Sequence, residues 1–295
     1  MVMEELKVRE VPQVETKYRC IKTPIPVPES IPILQKMQQC EARSMCGQPP
    51  ILWDRAQGFQ VYDRFGNKWI DWTSGVLVTN AGHCHPKIQK AIIDQAQHGL
   101  IHNFTFPTEL RARFSEKLVS VAPEGLDRTY LLTTGSEAVE CAMKYARTFS
   151  QINHGGRKNV VVSFSNAFHG RTMGSQMAGG IPELKTWIVN PDPDMVQVPF
   201  PDGFRCPDTS FDLFRRTLEQ NNITGDRVAA VITESYQGGN ASFAPPEYVE
   251  KLRTWCNENN ALLIFDEVQA GFGRAGTYWA FEHYGVTPDL ITCGK

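Results

Sequence analysis

The sequence predicts an α/β fold: a mainly parallel, mixed sheet with helices on both faces, preceded by part of a smaller α+β domain. Three observations carry this. Beyond about residue 85, short β-rich runs alternate with longer helical ones. One of the runs, ALLIFDE at 261–267, is almost wholly apolar, as expected of a strand covered on both faces. Before residue 75 the texture is different, with apolar and aromatic bursts on either side of the tight turn DRFGN, which is the pattern of a hairpin.

The elements follow in order. Pro24, Pro26 and Pro28 exclude a helix near the start, so 11–34 reads as an extended arm lying on something larger. QKMQQCEARSM, 35–45, reads as a short helix, and 51–75 as a small antiparallel unit closed by Asp71 and Trp72. A domain boundary is expected here, dividing the arm and small-domain segment, 1–75, from a large domain, 76–295. PKIQKAIIDQAQHG is a helix with Pro86 in its first turn and a stop at Gly99. TELRARFSEKLVSVAP is a second helix, with Pro123 beyond its end. Then come a strand at DRTYLLTT, a helix at SEAVECAMKYARTF, and strands at KNVVVSF and VAAVITES. A proline-entered helix at PPEYVEKLRTWCNENN, the strand ALLIFDE and a short strand at LITC complete the pattern.

Composition bounds the function. The chain has 295 residues, 41% hydrophobic and 21% charged, enough for a sizeable core. A net charge of −2 without a basic block argues against nucleic acid as the main partner. No apolar run approaches the roughly 18 residues of a membrane span, and MVMEELKVRE lacks the apolar core of a signal peptide. The eight cysteines are scattered without a C-x-x-C pair, the pattern of reduced thiols in a cytoplasmic protein.

Four places carry candidate chemistry. In LLTTGSEAVE, Gly135 and Ser136 open a helix whose free amides and hydroxyls suit a phosphate, although ordinary helix capping accounts for the same residues. No nucleotide-binding glycine signature accompanies them. In SFSNAFHGRT, Phe168 and His169 lie where a strand passes into a loop; Phe168 could stack on a flat ring or simply fill the core. In ALLIFDEVQ, Asp266 and Glu267 fall at a strand's C-terminal end, where α/β sheets bind ligands. A buried carboxylate needs a partner, either a protonated ring nitrogen or a magnesium ion, and no matching carboxylate cluster favours the metal. Gln269 could donate to an oxygen of the same ring. Last, Lys295 follows the LITC strand, in an apolar setting where a lysine can form a Schiff base. Together these are the requirements of pyridoxal phosphate. A zinc site at His83, Cys84 and His85 is disfavoured, because adjacent residues do not easily converge on one ion and no further ligand is suitably spaced.

At this point the sequence resembles the class III, or omega, aminotransferases, pyridoxal-phosphate enzymes of the aspartate-aminotransferase-like fold type I. The resemblance runs through VYDRFGNKWIDWTSG, NAGHCHPKI, TTGSEAVE, AFHGRT, ITESYQGG, IFDEVQAGFGRAG and PDLITCGK, in that order. It implies that Lys295 bonds to the cofactor and shuttles the proton, while Asp266 pairs with the ring nitrogen. It further implies that Gln269 contacts the ring hydroxyl oxygen, Val268 packs under the ring and Phe168 stacks over it. Gly135 and Ser136 would hold the phosphate, His169 would lie near the stacked ring and Glu234 would support the site. Ser74, Gly75 and Val76 would line the substrate entrance. The implied reaction is ping-pong transfer from an amine or omega-amino acid donor to a 2-oxo acid, pyruvate or 2-oxoglutarate. The implied assembly is a homodimer or tetramer with shared active sites, and the implied chain is one that continues past the lysine. ESYQGGNAS departs from relatives that use 4-aminobutyrate: Gly239 stands where they carry a switching glutamate, and Ser235 where they carry proline. A decarboxylase, racemase or aminomutase on the same cofactor, or a non-catalytic domain, remains compatible with these residues.

Overall fold

The computed structural model describes residues 6–45 and 48–295, and contacts divide the chain into two compact units, Met1–Thr105 and Phe106–Lys295. The first unit is built on a five-stranded antiparallel sheet in the order β1-β2-β5-β4-β3. Its strands are β1 (Val14–Glu15), β2 (Cys20–Ile21), β3 (Arg55–Gln57), β4 (Gln60–Tyr62) and β5 (Lys68–Ile70). The DRFGN turn is closed by Asp63, whose Oδ1 accepts from Phe65 N at 2.9 Å and Asn67 N at 2.8 Å. The proline-rich arm is part of this sheet rather than laid on it: Val14 pairs with Ile21, and Cys20 with Lys68. Helix α1 (Ile31–Cys40) begins earlier than the sequence suggested, after a 3-10 turn at Pro28–Ser30. Proline bars a helix interior but suits a first turn: Pro28 opens the 3-10 turn and Pro32 lies in the first turn of α1, while 24–27 stay non-helical.

The next turn, α2 (Ser74–Leu77), winds left-handed, with φ of 51°, 60°, 62° and 69° at Ser74, Gly75, Val76 and Leu77. Such a run is costly for residues with a Cβ. It is held by Asp71, whose carboxylate accepts from Thr73 N, Thr73 Oγ1, Gly75 N and His83 Nε2 at 2.7–2.9 Å. Burial alone would raise that carboxyl; the hydrogen bonds outweigh it and hold the pKa at about 2. His83 also bridges to Gly58 through both backbone groups. These ties hold the turn to the strands of the first unit. Helix α3 (Pro86–His98) stops at Gly99, which takes φ 87°.

The second unit contains helix α4 (Glu109–Val121), helix α5 (Gly135–His154) and a five-stranded parallel sheet. Its strands, β6 (Val160–Phe164), β7 (Met195–Val198), β8 (Val228–Glu234), β9 (Leu262–Asp266) and β10 (Leu290–Thr292), run in the order β10-β9-β8-β6-β7. Alternate strand residues point to opposite faces. Val161, Ala230, Ile232 and Ile264 pack with Val139, Ala142, Met143 and Ala146 of α5. Val160, Val162, Phe164, Val231, Leu263 and Phe265 pack on the other face with α7 (Phe211–Gln220) and α8 (Pro246–Glu258). Short helix α6 (Met173–Ala178), β7 and α7 were not anticipated. The strand expected at 127–134 does not form. A strand exists only where a neighbour pairs with it, and 128–132 runs extended across an apolar groove of about 320 Å³ from the outer edge of β10. Tyr130 is 65% exposed there. Among the described residues no helix is long and apolar enough to cross a membrane.

Phe265 is fully buried and stacks on Phe281 with ring centroids 5.4 Å apart. Phe265→Ala should cost about 3–5 kcal/mol in unfolding free energy, measured by urea denaturation. A loss under about 1 kcal/mol would contradict the three-layer packing described.

Candidate active site

The C-terminal ends of the parallel strands and the start of α5 close around one cavity of about 180 Å³. Its lining contains Gly135, Ser136, Phe168, His169, Glu234, Asp266, Val268, Gln269 and Lys295, with Thr134 and Gly170 beside them. All nine of the positions expected to touch the cofactor are therefore together. Ser74, Gly75 and Val76 lie apart in the sequence, in the left-handed turn of the first unit.

The helix start is built by a capping box. Thr134 Oγ1 accepts from Glu137 N, while Glu137 Oε2 accepts from Thr133 N at 3.0 Å and Thr134 N at 2.9 Å. The amides of Gly135 and Ser136 have no protein acceptor among the described residues, so both caps and free donors are present where the sequence offered them as alternatives. Only glycine fits at 135, because a Cβ there would stand 2.7 Å from Val268 Cγ1. Gly170 is equally confined: its φ is +131°, and a Cβ would fall on the hydroxyls of Ser136 and Ser175. Ser136 Oγ accepts from Arg171 N at 3.1 Å, and Gln269 packs its amide group against Gly238.

Asp266 and Glu267 separate by the strand's period of two. Glu267 turns into the core and accepts from Ala280 N at 2.8 Å and Phe281 N at 3.0 Å. Asp266 faces the cavity, 3% exposed. Its Oδ2 accepts from His169 Nδ1 at 2.7 Å, and its Oδ1 accepts from Thr292 Oγ1 and Val268 N, each at 3.1 Å. His169, which lines the cavity beside Phe168, is buried with its imidazole against Asp266. Burial alone would depress the imidazole; the bond to Asp266 and the charges of Asp266 and Glu234 hold it above its ordinary value. Thr292 was missed. It pairs with Asp266 in the parallel register of β10 and β9, so its position beside the carboxylate follows from treating ALLIFD and LIT as adjacent strands.

Glu234 ends β8. Its Oε2 accepts from Phe168 N at 2.9 Å and its Oε1 from Gly238 N at 3.3 Å. This fixes the loop that presents the Phe168 ring, 36% exposed, to the cavity. Burial foremost, with the charge of Asp266, pushes the Glu234 carboxyl up to about 7 against the lowering effect of His169. Lys295 lines the same cavity, three positions beyond the end of β10. Among the described residues no cluster of three or more His, Cys, Asp or Glu could hold a metal ion, and His83 is engaged with Asp71.

A parallel sheet covered on both faces, with a carboxylate, a lysine, an aromatic ring and a bare helix start at its C-terminal edge, defines a ligand-binding α/β enzyme core. The sequence profile of the aminotransferase class-III family matches residues 43–295, and the chain belongs to that family. Its cofactor is pyridoxal phosphate, and its architecture is the aspartate-aminotransferase-like fold type I. The chain is 36% identical over 255 residues to an acetylornithine aminotransferase of Methanocaldococcus jannaschii, covering 84% of this chain and 59% of the relative. It is 35% identical over 242 residues to the acetylornithine/succinyldiaminopimelate aminotransferase of Yersinia pestis, covering 82% and 56%. A Bacillus anthracis aminotransferase superposes with a TM-score of 0.79 at 27% identity, covering 90% of this chain and 61% of that one. An (S)-enantioselective omega-transaminase from Thermomicrobium roseum shares the fold with a TM-score of 0.83 at 23% identity, over 90% and 62%. The chain thus spans between half and two thirds of the length of these proteins.

The raised carboxyl of Glu234 sets a pH dependence. Between the ordinary carboxyl range near 4.5 and about 7, the folded chain holds a proton here that the unfolded chain has lost. Stability therefore falls as pH rises through that window. His169 adds the same sign, since its contribution is present below the ordinary imidazole value and is lost above the raised one. Urea unfolding of Glu234→Gln should show a shallower loss between pH values of about 5 and 7 than the parent chain; an identical slope would refute the protonated carboxyl.

Proposed function

We propose that the chain is a pyridoxal-phosphate-dependent transaminase core, moving an amino group from an amine or omega-amino acid to pyruvate or 2-oxoglutarate in two half-reactions. The observation that carries this is the convergence of Lys295, Asp266, Phe168 and the bare start of α5 on one cavity. The residues fit the cofactor. The amides of Gly135 and Ser136 suit a phosphate, and the glycine at 135 is dictated by the close approach of Val268. Asp266 would pair with the ring nitrogen, with His169 bonded to one of its oxygens and Thr292 to the other. Gln269 would contact the ring hydroxyl oxygen and Val268 and Phe168 would flank the ring, with Phe168 steadied by Glu234. Bound there, pyridoxal phosphate supplies an electron sink for the carbanion left when a donor loses a proton from the carbon bearing its amine. Lys295 Nζ tethers the cofactor and moves that proton.

On acceptor choice, Gly239 bears on the missing switching glutamate. A Cβ at that position would stand 2.9 Å from the carbonyl oxygen of Asn166, so no side chain fits without a backbone shift. This favours a site without a carboxylate gate, and hence pyruvate at least as much as 2-oxoglutarate. Acetylornithine, named in two relatives, belongs among the donors to be screened. We assign residues 1–75 to an arm and small-domain segment, with Ser74, Gly75 and Val76 at the substrate entrance, and 76–295 to the cofactor domain. A homodimer or tetramer with shared sites is supported by exposed Ile88, Ile92 and Ile93 on α3, an apolar stripe at helical spacing. A cytoplasmic location is supported by the described cysteines, all free.

With pyridoxal phosphate, a donor and an oxo acid, Lys295→Ala should lower amino transfer by at least about a hundredfold and remove the visible absorption of lysine-bound cofactor. Retention of both would refute the assignment. Asp266→Asn should weaken cofactor binding and slow proton abstraction by about a hundredfold; an unchanged rate would count against its pairing with the ring nitrogen. Formation of carbon dioxide or of an isomerised donor without amino transfer to the oxo acid would replace the transaminase reading by a decarboxylase or a racemase.

A further inference from the structure

The roles above leave Glu140 without a part, although its carboxylate is among the most heavily used in the second unit. It lies four residues beyond Ser136, on the same face of α5. Its Oε1 accepts from Gly174 N at 3.0 Å, from Ser175 N at 3.2 Å and from Thr172 Oγ1. Those are the opening amides of α6. That helix has no side-chain cap of its own, for Thr172 at its N-cap position makes no capping bond. Its free donors are satisfied from another helix. The approach is close: a Cβ on Gly174 would lie 3.2 Å from Glu140 Cδ.

The segment between β6 and α6 is the one that carries Phe168 and His169. It is held at several points, His169 by Asp266 and Ser165 by Gln237 among them, and three further ties matter here. Glu234 holds its start through Phe168 N, Ser136 Oγ holds its middle through Arg171 N at 3.1 Å, and Glu140 holds its end. Two of the three pins belong to one turn of α5, the turn whose first amides face the cavity. We propose that Glu140 is a positioning residue of the site: it locks the loop bearing Phe168 and His169 in register with the anion-binding start of α5. This rests on the cofactor reading of the cavity. A ring held between Phe168 and Val268, with its phosphate at Gly135 and Ser136, needs both supports fixed to within a fraction of an ångström. Glu140 is the acceptor that spans them, through three hydrogen bonds to one of its oxygens.

The test uses the full chain, with Glu140→Ala, the conservative Glu140→Gln, and Phe214→Leu as a core-weakening control on the opposite face of the sheet. Affinity for pyridoxal phosphate and visible circular dichroism per bound cofactor are measured at saturation. Glu140→Ala should bind about tenfold more weakly, as removal of a charge-assisted hydrogen bond implies, and should lose most of the visible dichroic signal. Glu140→Gln should recover both in large part, and Phe214→Leu should leave both unchanged. In the cofactor-free chain, the Gly174 and Ser175 amides of Glu140→Ala should exchange faster while those of β6 keep their rate. Parent-like affinity and dichroism in Glu140→Ala, or the same losses in Phe214→Leu, would overturn the proposal while leaving the cofactor reading standing. A parent chain that takes up no pyridoxal phosphate would overturn both.

Discussion

The buried contact between His169 and Asp266 is the constraint around which the second unit is arranged. A carboxylate at the end of an apolar strand is expensive unless it is paired. Here the imidazole covers one oxygen, and Thr292 and the backbone of Val268 cover the other. Each partner comes from a different place in the chain, so the carboxylate can be satisfied only when β6, β9 and β10 are in their parallel register. The charge is thereby kept in the interior and aimed at the cavity. Glu234 lies close enough to both to be drawn into the same electrostatic unit. Glu234 and His169 both hold their protons more tightly here than they would in water.

The rest of the site follows from the sheet's chemistry. Parallel strands deliver their C-terminal ends to one edge, and that edge gathers Asp266, Glu234, Phe168 and Lys295. The start of α5 meets the same edge because its apolar stripe packs on the strands that carry those residues. Glycine is then required wherever backbone approaches backbone or side chain, as at Gly135 and Gly170. Packing, rather than any isolated functional residue, sets the geometry that the chemistry uses.

Local signals made much of this legible in the sequence. The continuous apolar run of β9 and the Thr-Gly-Ser-Glu entry to α5 announce themselves, and the family motifs name the residues that meet at the cavity. What depends on distant partners could not be read. The 127–134 run has strand composition but no neighbour to pair with. The left-handed turn at 74–77 contradicts the preferences of serine, valine and leucine and exists because Asp71 holds it. The bond from His169 to Asp266 joins residues 97 positions apart, and no local signal announces it. In α7 the spacing of Phe211, Phe214 and Leu218 was available and was passed over, while β7 is too short and too half-buried to signal itself.

The central claim is that the cavity holds pyridoxal phosphate through Lys295. Borohydride reduction of the chain after incubation with the cofactor, followed by peptide mass spectrometry, tests it most directly. The account predicts a single reduced adduct on the peptide containing Lys295, lost when phosphate analogues occupy the start of α5. An adduct on another lysine, or none at all, would contradict it.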